Sequence, residues 1–191
     1  MTLMEHMATS NKHCDTWIYL SDLQIQCQLF KRSYEQLEIA AAHWISLSKG
    51  IDDNAKFSPL NIIAECTVCL SAMSAIKRVL ELKKERGKKL SELLGNPPLE
   101  NTFNKNVRNS WEHHDERLDG LLKNYNGKSR SLSEIHVSVF PPKETTIVLK
   151  RFDPTSMTIH FLNDAIELEQ CFHEIVQLTI NINQAIQKLH N

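Results

Sequence analysis

Apolar positions recur every three or four residues over most of this chain, and then, for one short stretch, every second residue. The first stripe is Leu20, Leu23, Cys27, Phe30, Tyr34, Leu37, Ala41 and Trp44. That spacing predicts one amphipathic helix over about Asp15 to Ser48, with Asp15 as N-cap and Lys49-Gly50 as the stop. A second helix is expected from Ser58, with Pro59 in its first turn. Its stripe is Ile62, Cys66, Cys69, Met73, Ile76 and Leu80, and it runs to about Arg86-Gly87. A shorter piece, Lys88 to Leu94, closes at Gly95-Asn96-Pro97-Pro98. A third long helix is expected from about Leu99 to Tyr125, striped by Phe103, Val107, Trp111, His114, Leu118 and Leu122, with Asn126-Gly127 ending it.

The period then falls to two. Ile135, Val137 and Val139 alternate with His136 and Ser138. Thr145 to Phe152 and Met157 to Leu162 flank the turn signal Asp153-Pro154-Thr155-Ser156. These read as two or three short antiparallel strands. A last helix is expected from about Ile166 to Leu189 on the stripe Leu168, Cys171, Ile175, Leu178, Ile182 and Ala185. The fold expected from these patterns is all-α. Four long helices form an antiparallel bundle, with a small antiparallel β-hairpin element near 135–162, in one domain spanning 1–191.

Composition narrows the function classes. Lys and Arg total 22 and Asp and Glu 23, so bulk charge does not hold this chain to nucleic acid or membrane. Five glycines are too few for a Gly-rich nucleotide fold. No run approaches the ~18 uninterrupted apolar residues of a membrane span, and Met1 to Asn11 lack the order of a signal peptide. Cys14, Cys27, Cys66, Cys69 and Cys171 are an odd number without framework spacing, which fits free thiols in a reducing cytoplasm. No cofactor motif is present.

Three segments carry candidate chemistry. Cys66-Thr67-Val68-Cys69 has CxxC spacing, but both sulfurs fall on the apolar stripe and no second pair exists, so two core residues are expected. Lys77 to Lys89 holds seven basic residues against Glu81 and Glu85. This is either a solvated face near a helix C-terminus or a phosphate-contacting surface. The densest polar cluster is Arg108 to Asp119. At 100° per residue Asn109, Glu112, His113 and Glu116 share one helix face, and Arg108 lies about 140° from His113. His114 falls on the apolar stripe. His113, His114, Asp115, Glu116 and Asp119 are metal-ligand types, yet the adjacent histidines diverge and no facing ligand pair occurs elsewhere, so no metal is expected.

Arg108-Asn109-Ser110-Trp111-Glu112-His113 reads Arg-Asn-x-x-x-His. It resembles the signature of the HEPN superfamily, and the string to Asp119 is similar to one found in HEPN-like bacterial proteins. The resemblance covers twelve residues, and the expected helical bundle supports it. It implies a homodimer with two motif helices across a cleft. It also implies a metal-independent endoribonuclease, acting as a toxin or defence effector, that leaves a 2′,3′-cyclic phosphate. His113 would act on the ribose 2′-OH, Arg108 would hold the scissile phosphate, and Asn109 would position either. An imidazole titrates near neutrality and a guanidinium matches a phosphate bidentately. RNA would be the substrate, and an antitoxin a possible protein partner. Asp115 stands where some family toxins carry Tyr, and Glu112, Asp115, Glu116 and Asp119 make the segment acidic. Those departures support an alternative, a catalytically silent HEPN-like bundle that dimerises or binds a protein. Trp17 and Trp44 add bulk to the first helix's apolar stripe beyond a single seam, which supports the homodimer expectation.

Overall fold

In the computed structural model, which describes residues 14–52, 54, 56–104, 106–125 and 131–190, the side chains of Cys14, Arg108, Glu112, Asn124 and His190 excepted, six helices and a four-stranded sheet form, and every element but the fifth helix contributes to one core. The helices are α1 (Cys14–Ser48), α2 (Pro59–Val79), α3 (Glu85–Leu93), α4 (Asn106–Glu112), α5 (His114–Asn124) and α6 (Leu168–His190). The strands are β1 (Ser131–Val137), β2 (Thr146–Asp153), β3 (Thr158–Phe161) and β4 (Asp164–Glu167).

The expected stripes form the helical layer. Leu20, Leu23, Cys27, Phe30 and Leu37 of α1 are buried against Ile62, Cys66, Cys69, Met73 and Ile76 of α2 and Cys171, Ile175, Leu178 and Ile182 of α6. The α1 stop forms as expected. Gly50 takes φ +68°, Ile51 N–H donates to Ser46 O at 3.0 Å, and Gly50 N–H donates to Leu47 O at 3.0 Å. Ser58 caps α2, its Oγ accepting from Asn61 N–H at 3.2 Å, with Pro59 following. Asp15 is not a cap here but lies within the first turn of α1. Among the described residues α2 alone has the length and composition to cross a membrane, yet ten of its residues are buried in this core.

The all-α four-helix bundle is not what forms; the chain is α+β. Three sequence readings fail for identifiable reasons. The helix expected from Leu99 to Tyr125 is broken. Leu99 to Asn104 is a turn, and the chain breaks again at His113, which takes φ −106° and ψ 41° between α4 and α5. Only Val107, Ser110 and Trp111 of the described α4 and α5 side chains are buried; His114 is exposed, so it does not belong to an apolar stripe. Asn126-Gly127 lies outside the described residues. The second helix stops at Val79, not near Gly87. Gly87 instead sits inside α3, pressed so close to the backbone of Glu81 that a Cβ has no room.

The β element is a mixed sheet in the order β1-β2-β3-β4, not a hairpin. β2, β3 and β4 are antiparallel neighbours, but β1 runs parallel to β2, Ser131 pairing with Thr146 and Val137 with Phe152. Residues 138–145 must therefore travel back along all of β1, about 23 Å at 3.3 Å per residue. Eight residues cover that distance with length to spare, so the return bends at Val139-Phe140 and turns where Thr146 N–H donates to Lys143 O at 2.8 Å. The Asp153-Pro154-Thr155-Ser156 turn is where expected, with Thr155 N–H donating to Asp153 Oδ1 at 2.9 Å. β4 (Asp164–Glu167) takes Ile166 and Glu167 out of the expected last helix. On the inner face Val137, Phe152, Ile159, Phe161 and Ile166 join the helical core. α2 packs on β1 and β2, and α4 on β3 and β4.

Candidate functional site

The Arg108–Asp119 segment serves first as a dock between helix and sheet. Ser110 Oγ, fully buried, donates to Asp164 Oδ2 of β4 at 2.6 Å. Trp111 Nε1 donates to Thr67 Oγ1 of α2 at 3.2 Å. The Trp111 ring lies 6.1 Å from that of Phe161, with Lys150 Nζ 5.2 Å from its centroid. Asn109 and His113 stay on the surface, one turn apart, with His113 N–H donating to Asn109 O at 3.0 Å. The His113 imidazole is 62% exposed, and its Nδ1 stands 3.8 Å from Glu116 Oε1. The side chain of Arg108 lies outside the described residues. The described part of the motif thus offers a solvated imidazole beside a carboxylate, without the desolvated donors that stabilise charge on a phosphate.

The CxxC thiols are core residues, as the stripe implied. Cys66 and Cys69 have no solvent exposure, and burial drives both thiols well above their ordinary range. Burial pushes Cys171 up to about 12 and Cys27 up to about 11. A nucleophilic or metal-binding cysteine works as thiolate, so these four sulfurs are protonated packing groups. No cluster of three His, Cys, Asp or Glu suited to a metal ion occurs among the described residues.

His43 resembles half of a catalytic dyad and is not one. Its Nδ1 stands 3.2 Å from Asp52 Oδ2, but its Nε2 accepts Lys56 N–H at 3.0 Å, and the ring is buried beside Phe57. Both nitrogens are spent on fastening the loop after α1, leaving no basic lone pair for a substrate.

The basic run is divided among α2, the turn after it and α3. Lys77 Nζ donates to Phe103 O at 2.7 Å, and Lys84 pairs with Glu81 at 3.0 Å. Arg86 stacks on Tyr19 at 4.6 Å and donates to Tyr19 Oη and Arg78 O. Much of the run therefore ties local structure together rather than lining one anionic track. Tyr19, Arg86 and Lys89 border a cleft of about 350 Å³, with Asp15 on the same rim.

Two polar arrangements escaped sequence reading. Glu174 of α6 accepts four hydrogen bonds, from Asn101 N–H (3.0 Å), Asn101 Nδ2 (2.8 Å), Thr102 N–H (2.7 Å) and Thr102 Oγ1 (2.7 Å). It satisfies the turn that precedes α4 from a residue more than seventy positions away, a distance that no local pattern reports. On the outer face of the sheet, His136, Arg151 and His160 stand in register across β1, β2 and β3. Arg151 pairs with Asp153 at 2.8 Å, and His160 lines a cleft of about 340 Å³ with Leu121, Ile147 and Leu162. Burial, and then the Arg151 charge, hold the His160 imidazolium below its ordinary range. The unfolded chain therefore takes up that proton first. The stability supplied by neutral His160 is intact above about pH 6.5 and is lost as pH falls from there through the folded value. We expect His160→Gln to flatten the acid side of the stability profile near pH 6, read by urea unfolding at a series of pH values. An unchanged slope would show that His160 titrates alike in both states.

On α1, finally, Ile18, Ile25, Leu29 and Ile39 point outward, each between 40% and 54% exposed. They form a second apolar row, on the side of α1 away from the core stripe, while Trp17 and Trp44, expected to widen that stripe, are half-buried. Comparison with family models, with curated proteins and with solved structures finds no match to this chain, so the HEPN resemblance stands on Arg108 to Asp119 alone.

Proposed function

We propose that this chain is a protein-interaction module that associates with a second copy of itself, and that Arg108, Asn109 and His113 are not a ribonuclease centre. The observation that carries this reading is the outward seam of Ile18, Ile25, Leu29 and Ile39 on a 35-residue helix. Scattered apolar residues on a surface need no explanation, but a row of aliphatic residues along one helix face is the usual form of a helix-pairing surface. The reactive-looking groups are otherwise engaged: the thiols in the core, His43 on its loop, and His113 beside Glu116 in solvent.

One observation favours the ribonuclease reading. Asn109 and His113 are both exposed at a helix break, so a partner copy or an RNA strand has access to them. On that reading the chain is a HEPN-type toxin, cleaving RNA to a 2′,3′-cyclic phosphate and held in check by an antitoxin. Incubating structured and unstructured RNA with wild type and with His113→Ala separates the two. The interaction reading expects no cleavage by either protein, with EDTA present or absent. Cleavage by wild type that is lost in both His113→Ala and Arg108→Ala would overturn it.

A further inference from the structure

The seam on α1 is more regular than its four exposed aliphatic residues suggest. Ile18, Asp22, Ile25, Leu29, Arg32, Gln36 and Ile39 follow one another at alternating spacings of four and three. That is a heptad, with Asp22, Leu29 and Gln36 at one core position and Ile18, Ile25, Arg32 and Ile39 at the other. The row lies on the side of α1 opposite Leu23, Cys27, Phe30, Tyr34 and Leu37, which face the protein's own core. It spans 22 residues, Ile18 to Ile39, or about 32 Å at 1.5 Å rise per residue.

Only two members of the row are charged, and they carry opposite signs. Parallel pairing in register would set Asp22 against Asp22 and Arg32 against Arg32. Antiparallel pairing about a two-fold axis level with residue 27 does the reverse. Each Asp22 then meets Arg32 of the other copy, each Ile25 meets Leu29, each Ile18 meets Gln36, and Ile39 lies past these layers, level with Asp15. Every layer joins one heptad position to the other, as antiparallel helix pairing requires. Slipping by one heptad leaves Asp22 against Ile39, or against Ile25 with Arg32 moved to Asp15, and in both cases Asp22 faces an aliphatic residue. A two-fold interface is self-complementary, so one favourable contact occurs twice.

From this juxtaposition we infer that α1 pairs with α1 of a second copy, antiparallel, in the register that joins Asp22 to Arg32. The inference rests on the self-association proposed above and adds to it the surface, the direction and the register. Asp22 is held for this contact by Gln26, whose Nε2 donates to Asp22 Oδ1 at 3.2 Å. The two ion pairs set direction more than affinity, and the Ile25–Leu29 layers at the centre provide the apolar contact.

The test is a charge exchange on the full chain, read by sedimentation velocity at low salt with circular dichroism as the fold control. Asp22→Arg sets two arginines against Arg32, and Arg32→Asp sets two acids against Asp22. Each should weaken the dimer by about tenfold or more, because like charges meet twice. The double variant Asp22→Arg with Arg32→Asp restores both pairs and should recover affinity close to wild type. Single variants that dimerise like wild type, or a double variant as weak as the singles, would overturn the register while leaving self-association standing. A wild-type chain that stays monomeric to high micromolar concentration would remove the self-association reading itself, and the register with it.

Discussion

Replacing Glu174 by Ala should lower the unfolding free energy by about 3–5 kcal/mol, among the largest effects of any single substitution outside the apolar core. The carboxylate is the acceptor for two backbone N–H groups and two side-chain donors of the 101–102 turn. Thr102 has no solvent exposure, so its N–H and hydroxyl cannot turn to water when the acceptor is removed. Each donor left buried and unpaired costs about 1–3 kcal/mol. Glu174→Gln should lie between, since an amide keeps one accepting oxygen and turns the other into a donor. Thr102→Val, which removes one donor and keeps the shape, should cost about 1–2 kcal/mol. Urea unfolding followed by circular dichroism orders the three variants. A Glu174→Ala protein within 1 kcal/mol of wild type would mean that the turn is satisfied in another way.

Phe152→Ala should cost about 3–5 kcal/mol and should do so for the whole molecule at once. Phe152 is fully buried on the inner face of β2, paired with Val137 of β1 and Ile159 of β3, in the same core as the helices. If the strands were an appendage on a helical bundle, the substitution would loosen the sheet and leave helical melting unchanged. In the α+β arrangement the ellipticity of the helices and the near-ultraviolet signal of Trp111, which packs on Phe161, fall in one transition at lower temperature. Two separated transitions would contradict a shared core.

These two residues also mark what the sequence conveys and what it does not. The stripes of α1, α2 and α6 are long and contain most of their layer's buried residues, so 3.6-residue periodicity finds them. The Asp153–Ser156 turn is carried by residues adjacent in the chain and is equally plain. β4 is four residues long with Ile166 its only buried one, so it offers no alternation and is absorbed into the helix that follows. The break at His113 is invisible because Val107, Trp111, His114 and Leu118 keep helical spacing across it, although His114 ends up in solvent. The parallel β1–β2 pairing is joined by an eight-residue return, unusually short for parallel strands, so nothing local in the sequence announces it. Of the proposed site residues, the sequence places Asn109 and His113 on one helix face, and both are indeed exposed near the break. The same reading cannot report that Ser110 and Trp111 between them are committed to Asp164 and Thr67, because those partners lie far away in the chain. The α1 seam was within reach: a second heptad on the far side of the first helix is legible in the residues, but it is masked by the stronger inward stripe.

Sedimentation equilibrium of the wild-type chain, from low to high micromolar concentration, tests the central claim most directly. Self-association through one two-fold surface predicts a reversible shift from the 22.0 kDa monomer toward twice that mass, with no larger species. A mass that stays at 22.0 kDa across the whole range would contradict it.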